Sequence, residues 1–412
     1  MNVARRRMAR SEGASRVMEG RPFHASDGDG KPDARVLFVV EQLRRSVPGG
    51  IGTYVRGLIQ GLSEISADAC PPPGLTLHAS RPSRRGARLH ASDPLAGFGL
   101  DMVISRLPGP VLTRAWDVGM VRAPVDFDIV HSASLAAPPL GPNSASRRVR
   151  SVVTIQDLAW RHFPETTTKR GRRWHDDALG RALRTADAFV VPSQATADDL
   201  EQAGALRSTI SVIPYGADHL PAPDVEGTDN LLRRRGVEGE FLLSVGTVEP
   251  RKNLDRLMAA YAAARPSLPE PWPLLLVGPT GWRSDLFSID PVGVKRLGEV
   301  DTRILAGLYA RARLFAYVPL MEGFGFPPLE AISTGTPVVV SRRVPSVTEA
   351  LDDGIAFVVD PCDLDSIADG LLSAATDEDM RASAIDHGMS YARRRTWNAT
   401  AGLHRQLWAA LK

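Results

Sequence analysis

The chain is short of the features that assign a protein quickly. Of its 412 residues only two are cysteine, Cys70 and Cys362, far apart and without metal-ligand spacing. That argues against a disulfide-stapled scaffold or a cysteine zinc site and points to a reducing compartment. Long hydrophobic runs are missing: stretches such as 36–40 and 274–277 have the length of a strand, and no segment reads as crossing a bilayer. Charge of one sign is scarce too, with a net charge of +3, and no aromatic platform or motif accompanies the basic clusters, which sets nucleic-acid binding aside. Residues 1–34, rich in Arg, Gly, Ser and Asp, lack the apolar core of a signal peptide. They are expected to form a disordered extension, with Met8 and Met18 as alternative starts.

What is present suits a two-domain α/β protein. Apolar residues make up 43% of a chain too long for one ordinary core. Short β-branched runs alternate with helical stretches, the pattern of parallel sheets with crossover helices. Strands are expected at 35–40, 75–78, 128–131, 151–155, 188–191 and 210–213, with helices at 53–65 and 194–203 between them. A second series follows: strands at 241–245, 274–277, 314–318, 337–340 and 356–359, with helices near 253–264, 302–311, 364–374 and 378–392. Proline-rich, acidic chemistry places a linker at 223–238. The domains are therefore expected at 35–222 and 239–392, with a last helix in 393–412. Residues 80–120 show weak periodicity.

The most informative stretch is 321–337, Met-Glu-Gly-Phe-Gly-Phe-Pro-Pro-Leu-Glu-Ala-Ile-Ser-Thr-Gly-Thr-Pro. It follows an apolar strand, and a loop between strand and helix in an open α/β sheet is where a ligand lies. Gly323 and Gly325 permit close approach. Pro327 and Pro328 open a helix whose free amides favour an anion. Glu322 in the loop and Glu330 in the first helical turn can accept hydrogen bonds from hydroxyls. A polyhydroxylated ligand carrying phosphate fits both halves. The whole string resembles the donor-site signature of retaining glycosyltransferases of family 4, which have the GT-B fold: two facing Rossmann-like domains with parallel sheets and a final helix that crosses back to the first.

Other segments agree with that resemblance. Ser244-Val245-Gly246-Thr247-Val248-Glu249-Pro250-Arg251-Lys252-Asn253 puts a glycine turn and two cations between strand and helix, a cradle for a diphosphate. Many relatives carry Arg where Thr247 stands, which shifts the cationic load to Arg251 and Lys252. Gly50 and Gly52 form a glycine-rich turn that in the family approaches donor phosphates and acceptor. Gln156 and Asp157 end a strand where relatives usually show His-Asp, so Gln156 cannot carry a proton there. His131, at another strand end, is a second candidate for the cleft wall. For metals, Asp126-Phe127-Asp128 precedes its strand and lies at the wrong end of the sheet, Asp27-Gly28-Asp29 is in the extension, and Asp363-Leu364-Asp365 reads as a helix start.

The resemblance implies an enzyme that moves a hexose from a nucleotide diphosphate sugar to a hydroxyl acceptor (a glycan, a lipid-linked sugar or a small molecule) with retention, without metal or cofactor. Glu322, Arg251 and Lys252 would act at the reaction centre, the two cations on the diphosphate and Glu322 on a sugar hydroxyl. Glu330, Gly323, Phe324, Gly325, Phe326, Gly246 and Thr247 would bind the donor, Glu330 through ribose hydroxyls. The motif variant points to polysaccharide biosynthesis and to GDP-mannose as the first donor to test. A cytoplasmic enzyme is expected, peripheral to anionic membrane through the Arg clusters at 5–7, 147–150, 169–173 and 233–235. The alternatives are an impaired nucleotide-sugar-binding subunit, prompted by Gln156 and Thr247, and a GT-B epimerase or glycogen-synthase-like polymerase.

Overall fold

The computed structural model describes residues 34–45, 48–65, 74–82, 95–141, 148–279, 291–349 and 354–412. The expected extension, apart from Ala34, and Cys70, Asp27 and Asp29 lie outside these residues. Among the described residues, β1 (Val36–Val39), β2 (Leu75–Arg81), β3 (Asp101–Pro108), β4 (Ile129–Ser132), β5 (Arg150–Thr154), β6 (Ala188–Val191) and β7 (Ile210–Val212) form one sheet in the order β3-β2-β1-β4-β5-β6-β7. The strands β8 (Leu242–Val245), β9 (Leu274–Val277), β10 (Val294–Gly298), β11 (Leu314–Tyr317), β12 (Val338–Ser341) and β13 (Phe357–Val359) form the second, in the order β10-β9-β8-β11-β12-β13. Neighbouring strands pair in parallel throughout. Helices cover both faces, so every residue of β1, β4 and β11 is buried, and these strands read as apolar or small runs interrupted only by His131 of β4.

This order places the sites. Strand order reverses beside β1, between β2 and β4, and again beside β8, between β9 and β11. Loops leaving the carboxyl ends of strands that flank a reversal diverge and open a crevice. Each domain thus contributes one such crevice edge.

Two edge strands, β3 and β10, have no counterpart in the sequence reading. Both carry charge among their apolar residues, and β3 leaves Met102 and Ile104 about two-fifths exposed (41% and 42%), so neither presents an apolar run. A helix, Gly109–Asp117, follows β3 inside the stretch that looked aperiodic. The segment read as linker, 223–238, also holds a helix, Val225–Arg234. Asp224 caps it by accepting from Gly227 N, and buried Thr228 and Leu232 seat it against helix Thr302–Arg311. The first helix of the chain starts at Gly49 rather than 53.

The last helix, Trp397–Leu411, packs on the helix Gly49–Ile65 of the first domain, as the resemblance implies. Glycine makes the contact: a Cβ on Gly57 would lie 2.0 Å from the Trp397 ring, and one on Gly61 would lie 2.1 Å from the Trp397 carbonyl oxygen. One apolar cluster runs from Phe38 and Tyr54 through Tyr215 to Leu329 and Trp397, joining the two sheets and the returning helix.

Candidate active site

The second-domain wall of the crevice begins where β8 ends. The chain turns through Gly246 and Thr247, makes a single helical turn at Pro250–Lys252 and enters helix Leu254–Ala264 through Asn253. Among the described residues Asn253 is the only non-glycine with positive φ, 58°, a conformation asparagine tolerates. Its buried amide donates to the carbonyls of Val318 (3.0 Å) and Pro361 (2.7 Å), which fastens Arg251 and Lys252 to the end of β11.

Those two cations converge on Glu322. Lys252 Nζ lies 2.5 Å and Arg251 Nη1 2.8 Å from Glu322 Oε1, and the Tyr317 hydroxyl donates to the same oxygen at 2.9 Å. Lys252 also donates to the Tyr317 hydroxyl at 2.7 Å, while Arg251 reaches Glu249 at 2.8 Å. Burial alone would raise the Glu322 pKa, but Arg251, Lys252 and the hydrogen bonds of Lys252 and Tyr317 outweigh it and hold the group at about 2. Burial works against the Arg251 charge too, and Glu322, Asp157 and Glu249 more than offset it. Buried Tyr317 is pushed far above its ordinary value, so it stays a phenol. The cluster is a set of fixed charges, unsuited to exchanging protons at neutral pH.

Glu330 lies in the second turn of helix Phe326–Ser333, not the first, because Gly325 caps that helix with φ 101° and Phe326 opens it. Pro327 and Pro328 take the next two positions, where they have no N–H to offer. The amides expected at this helix start therefore reduce to those of Gly325 and Phe326. Glu330 Oε1 is 2.8 Å from His219 Nε2, and Oε2 accepts from the Tyr309 hydroxyl at 2.9 Å. Trp397 Nε1 donates to His219 Nδ1 at 3.3 Å, so Nε2 carries the proton and donates to Glu330. His219, Tyr309 and Tyr317 escaped the sequence reading, and Glu249 was quoted in its motif without a role. A lone histidine in an irregular segment gives no periodic signal, whereas Asn253 was visible only as the last letter of a motif.

On the first-domain wall, Gly50 stands in the first turn of the helix it was expected to precede, facing the Phe326 ring: a Cβ would sit 3.6 Å from Cδ2. Gly52 is needed locally, since a Cβ there would lie 2.4 Å from Pro48 Cβ. Gln156 lines the cleft with Oε1 accepting from the Tyr215 hydroxyl at 2.8 Å and Nε2 directed at the Ala133 carbonyl at 3.4 Å. Asp157 faces Arg251 across the cleft.

His131 is not on the cleft wall. It is fully buried behind Thr154, with Nε2 2.8 Å from Thr154 Oγ1 and Nδ1 accepting from Trp408 Nε1 at 3.2 Å. Burial, reinforced by nearby His404, drives its pKa well below the ordinary histidine value, so it is neutral. A strand end is one residue away from the cleft, and the register of β4 turns this side chain into the core. Asp126 and Asp128 lie at the amino end of β4, where Asp128 accepts from Arg35 N, and Asp363 caps helix Leu364–Thr376, so neither pair reaches the cleft.

The walls touch at Gly323. Its hypothetical Cβ would lie 1.9 Å from the Gln156 carbonyl oxygen, and its own carbonyl accepts from Ser193 Oγ at 2.6 Å and Thr196 Oγ1 at 3.2 Å. Glu349 accepts from the amides of Gln194 and Ala195 at 2.7 Å each, capping a first-domain helix with a second-domain carboxylate. Phe324 and Phe326 point into an aromatic cluster with Tyr215 and Trp397 at the chain crossings. Between the walls lies a cleft of about 590 Å³ that both Glu322 and Glu330 border, with Gly246, Thr247, Arg251, Lys252 and Gln156.

Known proteins share this organisation. Residues 48–219 match the family model Glycosyltransferase Family 4, and residues 233–390 match Glycosyl transferases group 1. The O-antigen chain mannosyltransferase B of Escherichia coli is 31% identical over 268 residues, 62% of this chain and 70% of that one. The chain belongs to glycosyltransferase family 4. This glycosyltransferase is also 27% identical over 416 residues to a D-inositol 3-phosphate glycosyltransferase of Kribbella flavida, covering 91% of this chain and 90% of that one. Its fold is GT-B: the structure of Anabaena HepE in complex with UDP and glucose superposes with a TM-score of 0.64 at 18% identity, over 92% of this chain and 99% of that one. In the transferase, then, one wall carries a cluster of fixed charges and two backbone donors, and the other carries neutral polar groups, glycine and aromatic rings beside the single carboxylate of Asp157.

Proposed function

We propose that this glycosyltransferase moves a hexose from a nucleoside diphosphate sugar to a hydroxyl acceptor with retention at the anomeric carbon, and that mannose from GDP-mannose is the first donor to test. The observation that carries the reading is the convergence of Arg251, Lys252 and Tyr317 on Glu322 beside the Gly246 turn, within one cleft with Glu330. A diphosphate entering beside Gly246 would draw on Arg251 and Lys252. Each oxygen of Glu330 has a second lone pair for a ribose hydroxyl, beyond the bonds from His219 and Tyr309. Glu322 would accept from a sugar hydroxyl. The relatives named as mannosyltransferases support the sugar.

In this scheme the bond from C1 to the diphosphate oxygen breaks with its electron pair left on that oxygen, where the two cations stabilise the charge. The acceptor oxygen bonds to C1 on the same face and its proton passes to the departing oxygen, giving a glycoside and a nucleoside diphosphate. No side-chain base is needed, so Gln156 is compatible with turnover. No metal or cofactor enters the scheme. Among the described residues no helix is long and apolar enough to cross a membrane, and we place the enzyme in the cytoplasm, with the exposed cations of 169–173 as its contact with an anionic surface.

A thermal-shift screen with GDP, GDP-mannose, UDP and UDP-glucose tests donor binding, since a ligand that binds only the folded state raises Tm. Proton NMR of the product with the best donor then reads the anomer. The expected result is a rise with GDP-mannose and an α-linked product; no rise with any nucleotide, or an inverted product, would overturn the reading.

A further inference from the structure

We propose that Trp174 and His175, backed by the buried ring of Trp160, form a saccharide-binding platform on the first-domain wall, so that the acceptor is the end of a glycan. The inference rests on the transferase reading above and adds the acceptor class to it. All three residues border the same cleft as Gln156 and Glu322. Trp160 belongs to the short helix Ala159–His162, directly after the loop that leaves β5, and the other two lie on helix Lys169–Thr185.

The rings form one packed group with fixed orientations. The Trp160 and His175 centroids are 4.7 Å apart at 31°, and Trp174 meets His175 edge-on at 4.9 Å and 83°. Each indole N–H is tied away: Trp160 Nε1 donates to Asp176 Oδ1 at 3.0 Å, and Trp174 Nε1 donates to Asp117 Oδ2 at 2.9 Å. Arg181 holds Asp117 in turn. His175 Nδ1 donates to the Gly171 carbonyl at 2.8 Å, which leaves Nε2 for a sugar hydroxyl.

These properties match a pyranose. A sugar ring presents weakly positive C–H groups on a face and hydroxyls around its edge. The C–H face suits the negative face of an indole, and the hydroxyls need acceptors and donors beside it. Here the acceptors are His175 Nε2 and the carboxylate of Asp157, three residues before Trp160, with Gln156 adjoining. Packed aromatic rings with their polar edges already satisfied also lose little freedom on binding, so the contact is pre-organised.

The test titrates mannobiose and mannotriose into the full-length enzyme, with and without saturating GDP, and uses inositol 1-phosphate as the phosphorylated comparison. Saturation-transfer NMR and tryptophan fluorescence report binding. Trp174→Ala should weaken mannotriose binding by about tenfold, while GDP affinity stays within about twofold. Trp174→Phe, which keeps a ring, should stay within about threefold of wild type for both ligands, and His175→Ala should fall between the two. Unchanged mannotriose binding in Trp174→Ala and His175→Ala, saccharide binding absent from the wild type, or a preference for inositol 1-phosphate that depends on the same rings would each overturn the platform. Failure to bind GDP in the wild type would instead overturn the donor reading, because the titration without nucleotide still reads the platform by itself.

Discussion

The two walls of the cleft are built by the same topology and by opposite chemistry. At the β8 and β11 ends, Arg251, Lys252, Glu249 and Glu322 lock into an ion cluster that holds the Glu322 carboxyl at about 2. At the β4 and β5 ends, Thr154, Gln156 and Tyr54 stand over two neutral histidines, and tryptophans extend the surface. Fixed charge suits a step in which a phosphate departs, since preorganised charge needs no reorientation as the bond breaks. Neutral groups and ring faces suit recognition of a hydroxylated partner. On the proposed function, one wall would serve the chemistry that donors have in common, and the other the particular acceptor.

The sharpest way to break that contrast is Lys252→Ala. It removes one of two cations and the donor to Tyr317, leaving Arg251 alone on Glu322. Steady-state kinetics should show kcat reduced by about a hundredfold or more, the loss typical of a missing charge-stabilising donor. A drop of less than fivefold would mean that the charged wall does not carry the departing phosphate.

A smaller effect is expected at Glu330. Its truncation should weaken nucleotide binding by about tenfold or more, a hydrogen bond to a charged group being worth about 1.5–3 kcal/mol. His219→Ala reaches the nucleotide through the carboxylate it orients and also leaves the buried Trp397 indole without its acceptor, so a loss of about threefold to fivefold in GDP affinity is expected together with a lower Tm, with kcat nearly unchanged and partial rescue by His219→Gln, which restores a donor. Calorimetric titration of GDP separates these outcomes. Equal losses in kcat and affinity for His219→Ala would show that the residue supports the fold rather than the nucleotide.

The legibility of the two walls differed for the same reason. Glycine turns, paired cations and spaced glutamates are local patterns, so residues 244–253 and 321–337 announced the second wall before any coordinates. The parallel sheets were also readable, because their strands are buried on both faces and run mostly apolar, whereas the return of the last helix followed only from the resemblance. What could not be read depended on distant partners. His131 sits at a strand end like a site residue, and only the register of β4 and the arrival of Trp408 make it a core residue. His219 matters because Trp397, 178 positions away, fixes its tautomer. The edge strands β3 and β10 carry mixed residues because one flank lacks a neighbour, and Glu330 moved one turn along because Gly325, not a proline, begins its helix.

The mildest test separates the walls by pH. Beneath the first wall a hydrogen-bond chain has one consistent direction. Trp408 Nε1 donates to His131, His131 Nε2 to Thr154, Thr154 to the Tyr54 oxygen, Tyr54 to His404 Nε2, and His404 Nδ1 to the Thr400 carbonyl. Both histidines must stay neutral, and burial lowers His404 to about 4 from an ordinary 6.5. The unfolded chain therefore binds more protons than the native one between these values, so this stability is complete above pH 6.5 and falls as pH drops toward 4. Glu322 is depressed from 4.5 to about 2, so its contribution is complete above 4.5 and is lost only between 4.5 and 2. Melting curves should thus show Tm declining from pH 6.5 to 5 while affinity for GDP-mannose, whose esterified diphosphate has no proton to gain in this window, holds constant when measured well below Tm. In His404→Gln the decline over that window should become shallower but persist, whatever the absolute Tm, because buried His131 and His78 are held below the ordinary histidine value as well. A parallel fall in Tm and GDP-mannose affinity would place the acid-sensitive groups on the charged wall and erase the distinction between the two.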